Sequence, residues 1–315
     1  HEVGVRTVVK PGQGDAAVLK LQNGKFAAIK VDGNSKYCHL DPYQGGASCV
    51  AEACRNVVAV GAEPAAMLDH CQFGDPNNSE VFWAFSQTVK GIADACRSFS
   101  LPCIGGKVSF YNEDKETGKA IKPSPVIVVV GLIDKVDHIT TAGLKNEGDT
   151  IVIVGSTGLD MGGSEYYRTL GIYDGSPPSI DLNLEKKTMK AVLECIKRGY
   201  VSSCHDCSSG GLAVAIAETC IIGNLGARIS LEKVPAARLR VDELLFSESN
   251  SRFIISTNRP EKVLKVHERY GISSSKIGEI SAGPLEFSSK RTSLSCSLQD
   301  MKKAYGETIQ RLVEG

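Results

Sequence analysis

The strongest constraint on the fold comes from one short apolar segment near the middle of the chain. Residues 125 to 133 read PVIVVVGLI, a continuous run that is rich in β-branched side chains and carries no charge. A run of this length and composition favours a β-strand whose two faces are both covered. We therefore predict that this strand lies inside a layered domain, with other parts of the protein packed on each side of its sheet.

Shorter patterns predict further strands and helices. Two apolar runs at 16 to 21 and 26 to 31 flank Asn23-Gly24, a strong signal for a β-hairpin. A long helix is predicted with Ser79 as its cap, and its core-facing stripe comprises Val81, Phe82, Phe85, Val89, Ile92, Cys96 and Phe99. The second half is predicted to hold helices near 183–199, 209–222 and 260–270 and strands near 252–256 and 276–280. This alternation predicts an α+β fold of layered helices and sheets.

Length and composition limit the class of protein. A chain of 315 residues is long enough for two domains with separate cores, and we predict domains at 1–137 and 138–315. Basic and acidic residues are equal at 36 each, which argues against binding of nucleic acid by overall charge. No apolar run is long enough to span a membrane and no leader sequence is recognisable, so we expect a cytoplasmic protein. The start at His1 is what a piece of a longer polypeptide would show.

The cysteines predict reduced thiols in the core. There are eleven, an odd number, and several lie within apolar helical stretches. Cys204 and Cys207 form a CxxC pair around His205 and Asp206, but a structural zinc site needs about four ligands and no second pair stands at suitable spacing. We interpret these thiols as core or surface residues rather than a metal or redox centre.

Two glycine pairs in the first half are candidate ligand sites. Gly45-Gly46 is predicted to open a helix, where free amides favour phosphate, although a tight turn before a helix explains the pair equally simply. Gly105-Gly106 stands beside a cation and a hydroxyl, Lys107 and Ser109, and this group could cradle an oxyanion. The spacing before the lysine is not that of a P-loop.

Several acidic residues are also candidates. Asp69 follows a buried run and is predicted at a strand end, where it could contact a metal or a ribose or could satisfy loop amides. His205, Asp206 and Glu248 could together do acid–base or metal chemistry, although nothing in their local sequence demands it. Gly162-Gly163 and Gly210-Gly211 each precede a predicted helix and are possible anion seats.

Taken together, the motifs resemble one known family. The first half contains, in order, DPYQGGASCVAEACRNVVAVGAEP, LDHCQFGDP, EVFWAF and GGKVSFYNE, and the second half contains GLDMGGSEYYR, HDCSSGGLAVAIAE and LLFSESNSRF. They are similar to the third and fourth domains of the large subunit of phosphoribosylformylglycinamidine synthases, and the resemblance covers nearly the whole chain.

The resemblance implies a fold and a partner. The family's large subunit holds two tandem copies of a two-domain unit of the aminoimidazole ribonucleotide synthase (PurM-like) superfamily. The mixed sheet of this chain's first domain would pair with the equivalent domain of the N-terminal copy into a barrel-like sheet. Because the two partner surfaces are homologous, the chain alone could also pair with itself as a homodimer.

The resemblance also implies an activity. The family transfers ammonia to formylglycinamide ribonucleotide with ATP and Mg²⁺, as an ATP-dependent carbon–nitrogen ligase of purine biosynthesis. The ammonia would come from a separate glutaminase subunit, assisted by a small accessory subunit. This chain would supply only part of that active site, since the catalytic histidine belongs to the N-terminal copy and has no counterpart here.

The family's site residues can be carried over position by position. Asp69 and Gly106 fall where the family contacts ATP, and Ser109 falls where it contacts the substrate. Lys107 stands where the family usually has an asparagine that helps to hold magnesium, and a charged lysine cannot coordinate that ion. Asp32, Asp206 and Glu248 stand at positions where the N-terminal copy binds metal and substrate, and in this copy they are expected to be vestigial.

Two other interpretations remain open on the sequence alone. The chain could be a structural half that holds a nucleotide without turning it over. Alternatively, it could be a related enzyme of the same architecture, such as selenophosphate synthetase or thiamine monophosphate kinase. The latter would need a catalytic Cys/Lys pair or an acidic cluster near the N-terminus, and neither is recognisable before Asp41.

Overall fold

The computed structural model describes residues 6 to 314, and within them the first domain is built on a six-stranded mixed sheet. Its strands are β1 (Thr7–Val9), β2 (Ala17–Lys20), β3 (Phe26–Asp32), β4 (Glu63–Gln72), β5 (Cys103–Ser109) and β6 (Ser124–Ile133). They lie in the order β1-β2-β3-β6-β4-β5, with β4 and β5 parallel and the other neighbours antiparallel. The predicted hairpin, the long apolar strand and the mixed character of the sheet are all confirmed.

Three helices belong to this domain, and they cover only one face of its sheet. They are α1 (Ser35–Leu40), α2 (Pro42–Ala59) and α3 (Ser79–Phe99). α2 packs on β3 and β6, where Ala28, Ile127 and Val129 are completely buried. α3 packs on α2, and its apolar stripe is narrower than predicted because Phe82 and Val89 are exposed.

The pair Gly45-Gly46 lies inside α2 and does not open it, so the predicted phosphate seat at this point is wrong. α2 starts at Pro42, and the side chain of Asp41 caps it by accepting the N–H groups of Tyr43 and Gln44 at 3.0 Å. A Cβ at Gly45 or Gly46 would overlap the backbone of α1 or α3. The glycines therefore allow close approach of helices rather than of a ligand.

The opposite face of the first sheet is apolar and lacks a covering layer in residues 6 to 314. Val126, Val128 and Val130 of β6 are only partly buried on this side, while Val31 is 56% and Leu132 is 43% exposed. The expectation that both faces are covered is therefore met on one face only. An exposed apolar sheet face of this kind is typical of a surface that binds another protein.

The second domain holds a seven-stranded mixed sheet with helices on both sides. Its strands are β7 (Thr150–Val154), β8 (Ser203–Asp206), β9 (Gly226–Ser230), β10 (Phe253–Thr257), β11 (Ser274–Ser281), β12 (Leu285–Ser288) and β13 (Ser293–Cys296). They lie in the order β13-β12-β9-β11-β7-β10-β8. The helices are α4 (Glu165–Thr169), α5 (Leu182–Lys197), α6 (Gly211–Gly223), α7 (Val241–Phe246), α8 (Pro260–Tyr270), α9 (Leu298–Gly306) and α10 (Thr308–Glu314).

The core of the second sheet is continuous with that of the first domain. Val152, Val154 and Ile255 point toward α5 and α8 and belong to the same apolar cluster as the residues of α2. Ile153 and Ile254 point the other way and pack with α6. The two domains therefore share a packed interface along α2 and α5. Buried polar residues of both domains, among them Arg55, Glu185 and Asp206, meet there, and we call this buried region the interdomain cleft.

Among the described residues, no helix is both long and apolar enough to cross a membrane. The cysteines in this range form no disulfide, and most of them are buried, as predicted. Nor does any group of three or more histidine, cysteine, aspartate or glutamate side chains within residues 6 to 314 have the geometry to hold a metal ion.

Candidate functional site

The sequence-predicted ATP and substrate residues meet at the open edge of the first sheet. β5 is the terminal strand and pairs in parallel with β4, which sets Asp69 opposite Gly106 and His70 opposite Lys107. Gln72 stands opposite Ser109 in the same ladder. Asp69 was expected at a strand end but lies within β4, and Gly105-Gly106 lies within β5. The register of two neighbouring strands, rather than a loop, brings these residues together.

Asp69 and Gly106 are in direct contact across the ladder. A Cβ added at Gly106 would overlap the Oδ1 atom of Asp69, whereas a Cβ at Gly105 would meet only the Cδ2 atom of Leu68, at 3.5 Å. The absence of a side chain at Gly106 therefore gives the Asp69 carboxylate its position over the backbone of β5. The structure does not require a glycine at position 105.

The backbone of Gly106 faces the open edge. The carbonyl oxygen of Ser109 accepts the N–H of Phe73 at 2.9 Å, so the backbone groups of Ser109 point toward β4. Since these groups alternate in direction along a strand, those of Gly106 point away from the sheet. The edge thus offers an N–H donor next to a carboxylate, an arrangement that suits a ligand with both an anionic part and hydroxyl or amino groups.

The two thiols next to Asp69 are weak partners and leave its carboxylate available to bind a ligand. Its hydrogen-bond donors within residues 6 to 314 are the Sγ atoms of Cys71 and Cys103, both at 3.5 Å from a carboxylate oxygen. Burial, followed by the nearby Asp69 charge, raises the pKa of Cys71 to about 12, so this thiol stays neutral. Thiols are weak donors, and Asp69 is therefore a carboxylate without a strong internal partner.

Lys107 and Ser109 lie on the other side of the edge strand. Their side chains leave the strand on the face opposite to the Asp69 carboxylate and point to the uncovered apolar face, where Lys107 is exposed. The Nδ2 atom of Asn112 donates to the carbonyl oxygens of Ser109 and Phe73 at 2.9 and 3.0 Å, which holds the turn after β5. A ligand that touches all four predicted residues must wrap around the edge of the sheet.

The cleft between the two domains holds the second set of predicted residues. Asp32 ends β3 in the first domain, and Asp206 ends β8 in the second. Arg55 of α2 lies between the domains: its Nε donates to Asp206 Oδ1 at 2.7 Å, and its Nη1 donates to Glu185 Oε1 at 3.0 Å. Arg55 and Glu185 are completely or almost completely buried.

A further carboxylate, Glu52, completes this acidic group. It lies one turn before Arg55 on α2, with its Oε2 4.0 Å from Nη2 of that arginine. Burial, together with the charges of Asp32 and Asp206, raises the pKa of Glu52 to about 8. Glu52 therefore carries a proton at neutral pH, which limits the negative charge in the cleft.

Glu248 occupies the other end of the same cleft. Its Oε1 accepts the N–H of Glu165 at 2.8 Å and the N–H of Gly210 at 2.7 Å, at the starts of α4 and α6. The hydroxyl of Tyr37 donates to Oε2. The two glycine pairs predicted as anion seats thus do open helices, and the chain's own carboxylate binds there.

A second network tightens the domain contact around His205. Its ring nitrogens lie 2.6 Å from Asp15 Oδ1 and 3.0 Å from Glu218 Oε2. Burial alone would lower the pKa of His205, but the charge of Asp15 and the hydrogen bonds to both carboxylates raise it well above the usual value. His205 is therefore a charged link between domains rather than a catalytic base.

Arg55 and Glu185 were not singled out as functional residues from the sequence. A signal existed in the segment that forms α2, because Glu52, Arg55 and Asn56 interrupt a stretch that is otherwise small and apolar on every side. A charged residue in such a helix must find an internal partner. The partner, Glu185, is distant in sequence and could not be identified without the fold.

Comparison with known proteins agrees with this architecture. Residues 13–133 match the family described as AIR synthase related protein, N-terminal domain, and residues 146–289 match the corresponding C-terminal domain. The chain is 49% identical over 259 residues to the phosphoribosylformylglycinamidine synthase subunit PurL of Methanothermobacter thermautotrophicus, with 81% of this chain and 36% of that protein covered. It is 43% identical to the subunit of the same name from Moorella thermoacetica, with 99% and 42% covered.

A solved structure supports the fold. The Thermotoga maritima PurL structure complexed with FGAR superposes with a TM-score of 0.81 at 23% identity, covering 94% of this chain and 48% of that one. The chain thus spans about two fifths of the length of the curated relatives it matches. On the strength of both domain matches and of these relatives, the chain belongs to the AIR synthase related protein family and carries its N-terminal and C-terminal domains.

Proposed function

We propose that this chain forms one half of a phosphoribosylformylglycinamidine synthase, the ATP-dependent ligase that converts formylglycinamide ribonucleotide to its amidine with glutamine-derived ammonia. The observation that carries the proposal is the contact between Asp69 and Gly106 at the open edge of the first sheet. It supports a nucleotide site that is only partly built from this chain. The names of the relatives supply the reaction.

The uncovered face of the first sheet supports a shared active site. This face runs from Val31 through Val128 to the edge that carries Lys107 and Ser109. A partner bound on it would lie next to both side chains. We propose that the partner is the N-terminal half of the same subunit, that two copies of this chain can pair in its absence, and that a glutaminase subunit and a small accessory subunit supply the ammonia.

Each residue of the edge has a proposed role. The outward-facing backbone of Gly106 and the Asp69 carboxylate hold and orient ATP, and the Ser109 hydroxyl contacts the substrate from the other side of β5. Bound ATP would supply the phosphoryl group that activates the amide oxygen of the substrate as an iminophosphate, with release of ADP, and ammonia would then displace the phosphate. Lys107 does not fit a magnesium ligand, because an ammonium group has no lone pair for the ion. Its positive charge instead faces the phosphates directly, and the Mg²⁺ that accompanies ATP is held elsewhere.

The matches to the two family domains also support the position of the domain boundary. The two family matches leave residues 134 to 145 between them, which supports a division at 137/138. We propose that the first domain, 1–137, carries the partner face and the ATP edge. The second domain, 138–315, then serves mainly to close the cleft that contains Arg55.

Substitution of Asp69 in the full two-copy subunit tests this function. Asp69→Ala should abolish ATP-dependent amidation while leaving the melting temperature close to that of the wild type, because this carboxylate has only thiol partners. Asp137→Ala removes an exposed carboxylate from the same domain and should leave both quantities unchanged. A variant Asp69→Ala that turns over normally but melts at a lower temperature would favour the structural, nucleotide-holding role instead.

A further inference from the structure

The uncovered face of the first sheet becomes polar toward its open edge. In the ladder of β4 with β6, His70 stands opposite Val126, whose side chain points to the uncovered face. In the ladder of β4 with β5, Lys107 stands opposite His70, and Ser109 stands opposite Gln72. Residues that stand opposite each other in a sheet point to the same side, so these four polar side chains share the uncovered face. We call them the polar end of that face.

The polar end contains hydrogen-bond donors and no acid. An imidazole, an amide, an ammonium and a hydroxyl group are present, and each of them can donate. Of the acidic residues in β4, β5 and β6, Glu63 lies at the far end of β4, and Asp69 points to the helix-covered side because it stands opposite the buried Ile127. The charge of the polar end therefore comes from Lys107, which is exposed.

Most of these donors are unused within the described part of the chain. Over residues 6 to 314, the side chains of His70, Gln72 and Lys107 make no hydrogen bond and no ion pair. Ser109 is the exception, because Nδ2 of Asn112 donates to its Oγ at 3.3 Å. Polar groups that lose water when a partner covers them need new hydrogen-bond partners. The polar end thus offers a set of unpaired donors next to the ATP edge.

His70 carries the observation that points to a ligand. Its Nε2 atom is buried and has no hydrogen-bond partner among the described residues, although the side chain as a whole is partly exposed. A ring nitrogen that has neither water nor a partner is unfavourable, and this is relieved when an acceptor binds to it. The last torsion of a histidine side chain is soft, so rotation of the partly exposed ring turns Nε2 toward the open face.

We propose that His70 binds a phosphate group at the polar end, together with Gln72, Lys107 and Ser109. The ammonium group of Lys107 supplies the positive charge, and the neutral donors fix the position of the phosphate oxygens. The inference rests on the proposed function, in which ATP and a phosphorylated substrate meet at this edge. It deepens that function by adding His70 and Gln72 to the site. The phosphate belongs either to ATP or to the ribonucleotide, and the experiment separates these two sources.

His70→Asn and His70→Gln in the full two-copy subunit form a matched pair. The amide of glutamine reaches the position of Nε2, whereas that of asparagine reaches only the position of Nδ1. Steady-state amidation with an ammonium salt is measured while ATP and formylglycinamide ribonucleotide are varied in turn. Because one hydrogen bond to a charged group is lost, His70→Asn should raise one of the two KM values by about 10- to 150-fold and leave kcat within about threefold. His70→Gln should keep both KM values within about threefold of the wild type.

A second variant keeps the test independent of the fold at His70. Gln72→Met preserves the length of a partly exposed side chain and removes its hydrogen-bonding groups, so it should raise the same KM by at least about threefold. A higher KM for ATP assigns the phosphate to ATP, and a higher KM for the ribonucleotide assigns it to the substrate. Melting curves of all three variants show that they are folded.

Three results would overturn the inference. Unchanged KM values in a folded His70→Asn would show that no phosphate binds there, and equal losses in His70→Asn and His70→Gln would show that the ring only packs. Weaker association with the N-terminal half at unchanged KM would show that Nε2 binds the partner protein instead. In each of these cases the wild type still turns over, whereas failure of the proposed function would appear as a wild type without amidation activity.

Discussion

Replacing Gly106 by alanine is a sharp test of the ATP edge, because the neighbouring glycine is a natural control. A Cβ at Gly106 would overlap the Asp69 carboxylate and force it to rotate away, while a Cβ at Gly105 would make an ordinary contact at 3.5 Å with Leu68. Gly106 is exposed and the overlapping atom is the end of a side chain that can rotate, so the free energy of unfolding should change little. The displaced carboxylate would lose its hydrogen bond to ATP, worth about 1.5–3 kcal/mol, so Gly106→Ala should weaken ATP binding by about 10- to 150-fold.

The measurement is calorimetric titration of ATP into the full two-copy subunit that carries each variant. Gly105→Ala should bind ATP within about threefold of the wild type, since a single new contact at normal distance changes the free energy by a few tenths of a kcal/mol. Melting curves of both variants show whether the fold is intact. Equal effects of the two substitutions, or tight ATP binding by Gly106→Ala, would refute the assignment of Asp69 and Gly106.

Three further predictions address other parts of the molecule. Because the pKa of Glu52 is raised to about 8, the folded protein holds a proton that the unfolded chain releases, so stability from this group is complete below about pH 4.3 and is lost as the pH rises to about 8. The free energy of unfolding in urea should therefore fall with rising pH over this range. In Glu52→Gln the fall should be shallower by up to about 1.4 kcal/mol per pH unit, and an unchanged slope would contradict a buried proton on Glu52. Val31→Glu, on the uncovered sheet face, should weaken association with the N-terminal half in sedimentation experiments, whereas Val136→Glu, equally exposed but outside the sheet, should not. Lys107→Asn, which introduces the asparagine that the family resemblance implies at this position, should make ATP binding more dependent on Mg²⁺ in calorimetric titrations; an identical dependence would show that Lys107 does not face the phosphates.

Sequence patterns predicted the elements whose stability is local. The hairpin around Asn23-Gly24, the helix at Ser79–Phe99 and the apolar strand at Ser124–Ile133 follow from turn chemistry and hydrophobic pattern, although the helix is capped by Asn78 rather than by the predicted Ser79. β5 was missed because two adjacent glycines lower its strand propensity. Its strand conformation comes from parallel pairing with β4, which is a tertiary interaction that no local pattern records.

The sequence predicted the candidate site only in part, because the geometry of the site also depends on tertiary interactions. Asp69, Gly106, Lys107 and Ser109 were named from motifs, but the sequence could not show that Lys107 and Ser109 lie on the opposite side of β5 from Gly106. The bonds of Arg55 to Glu185 and Asp206 join parts of the chain that are far apart in sequence. Only the packing of α2 between the two domains brings these charges together.

The most direct test of the central claim is ATP-dependent amidation of formylglycinamide ribonucleotide, with an ammonium salt as nitrogen source, by this chain mixed with a separately expressed N-terminal half. We predict that the mixture is active, that neither half is active alone, and that Asp69→Ala in this chain removes the activity of a mixture that still assembles. A mixture that assembles and binds ATP but forms no amidine would contradict the shared active site, as would full activity of the Asp69→Ala mixture.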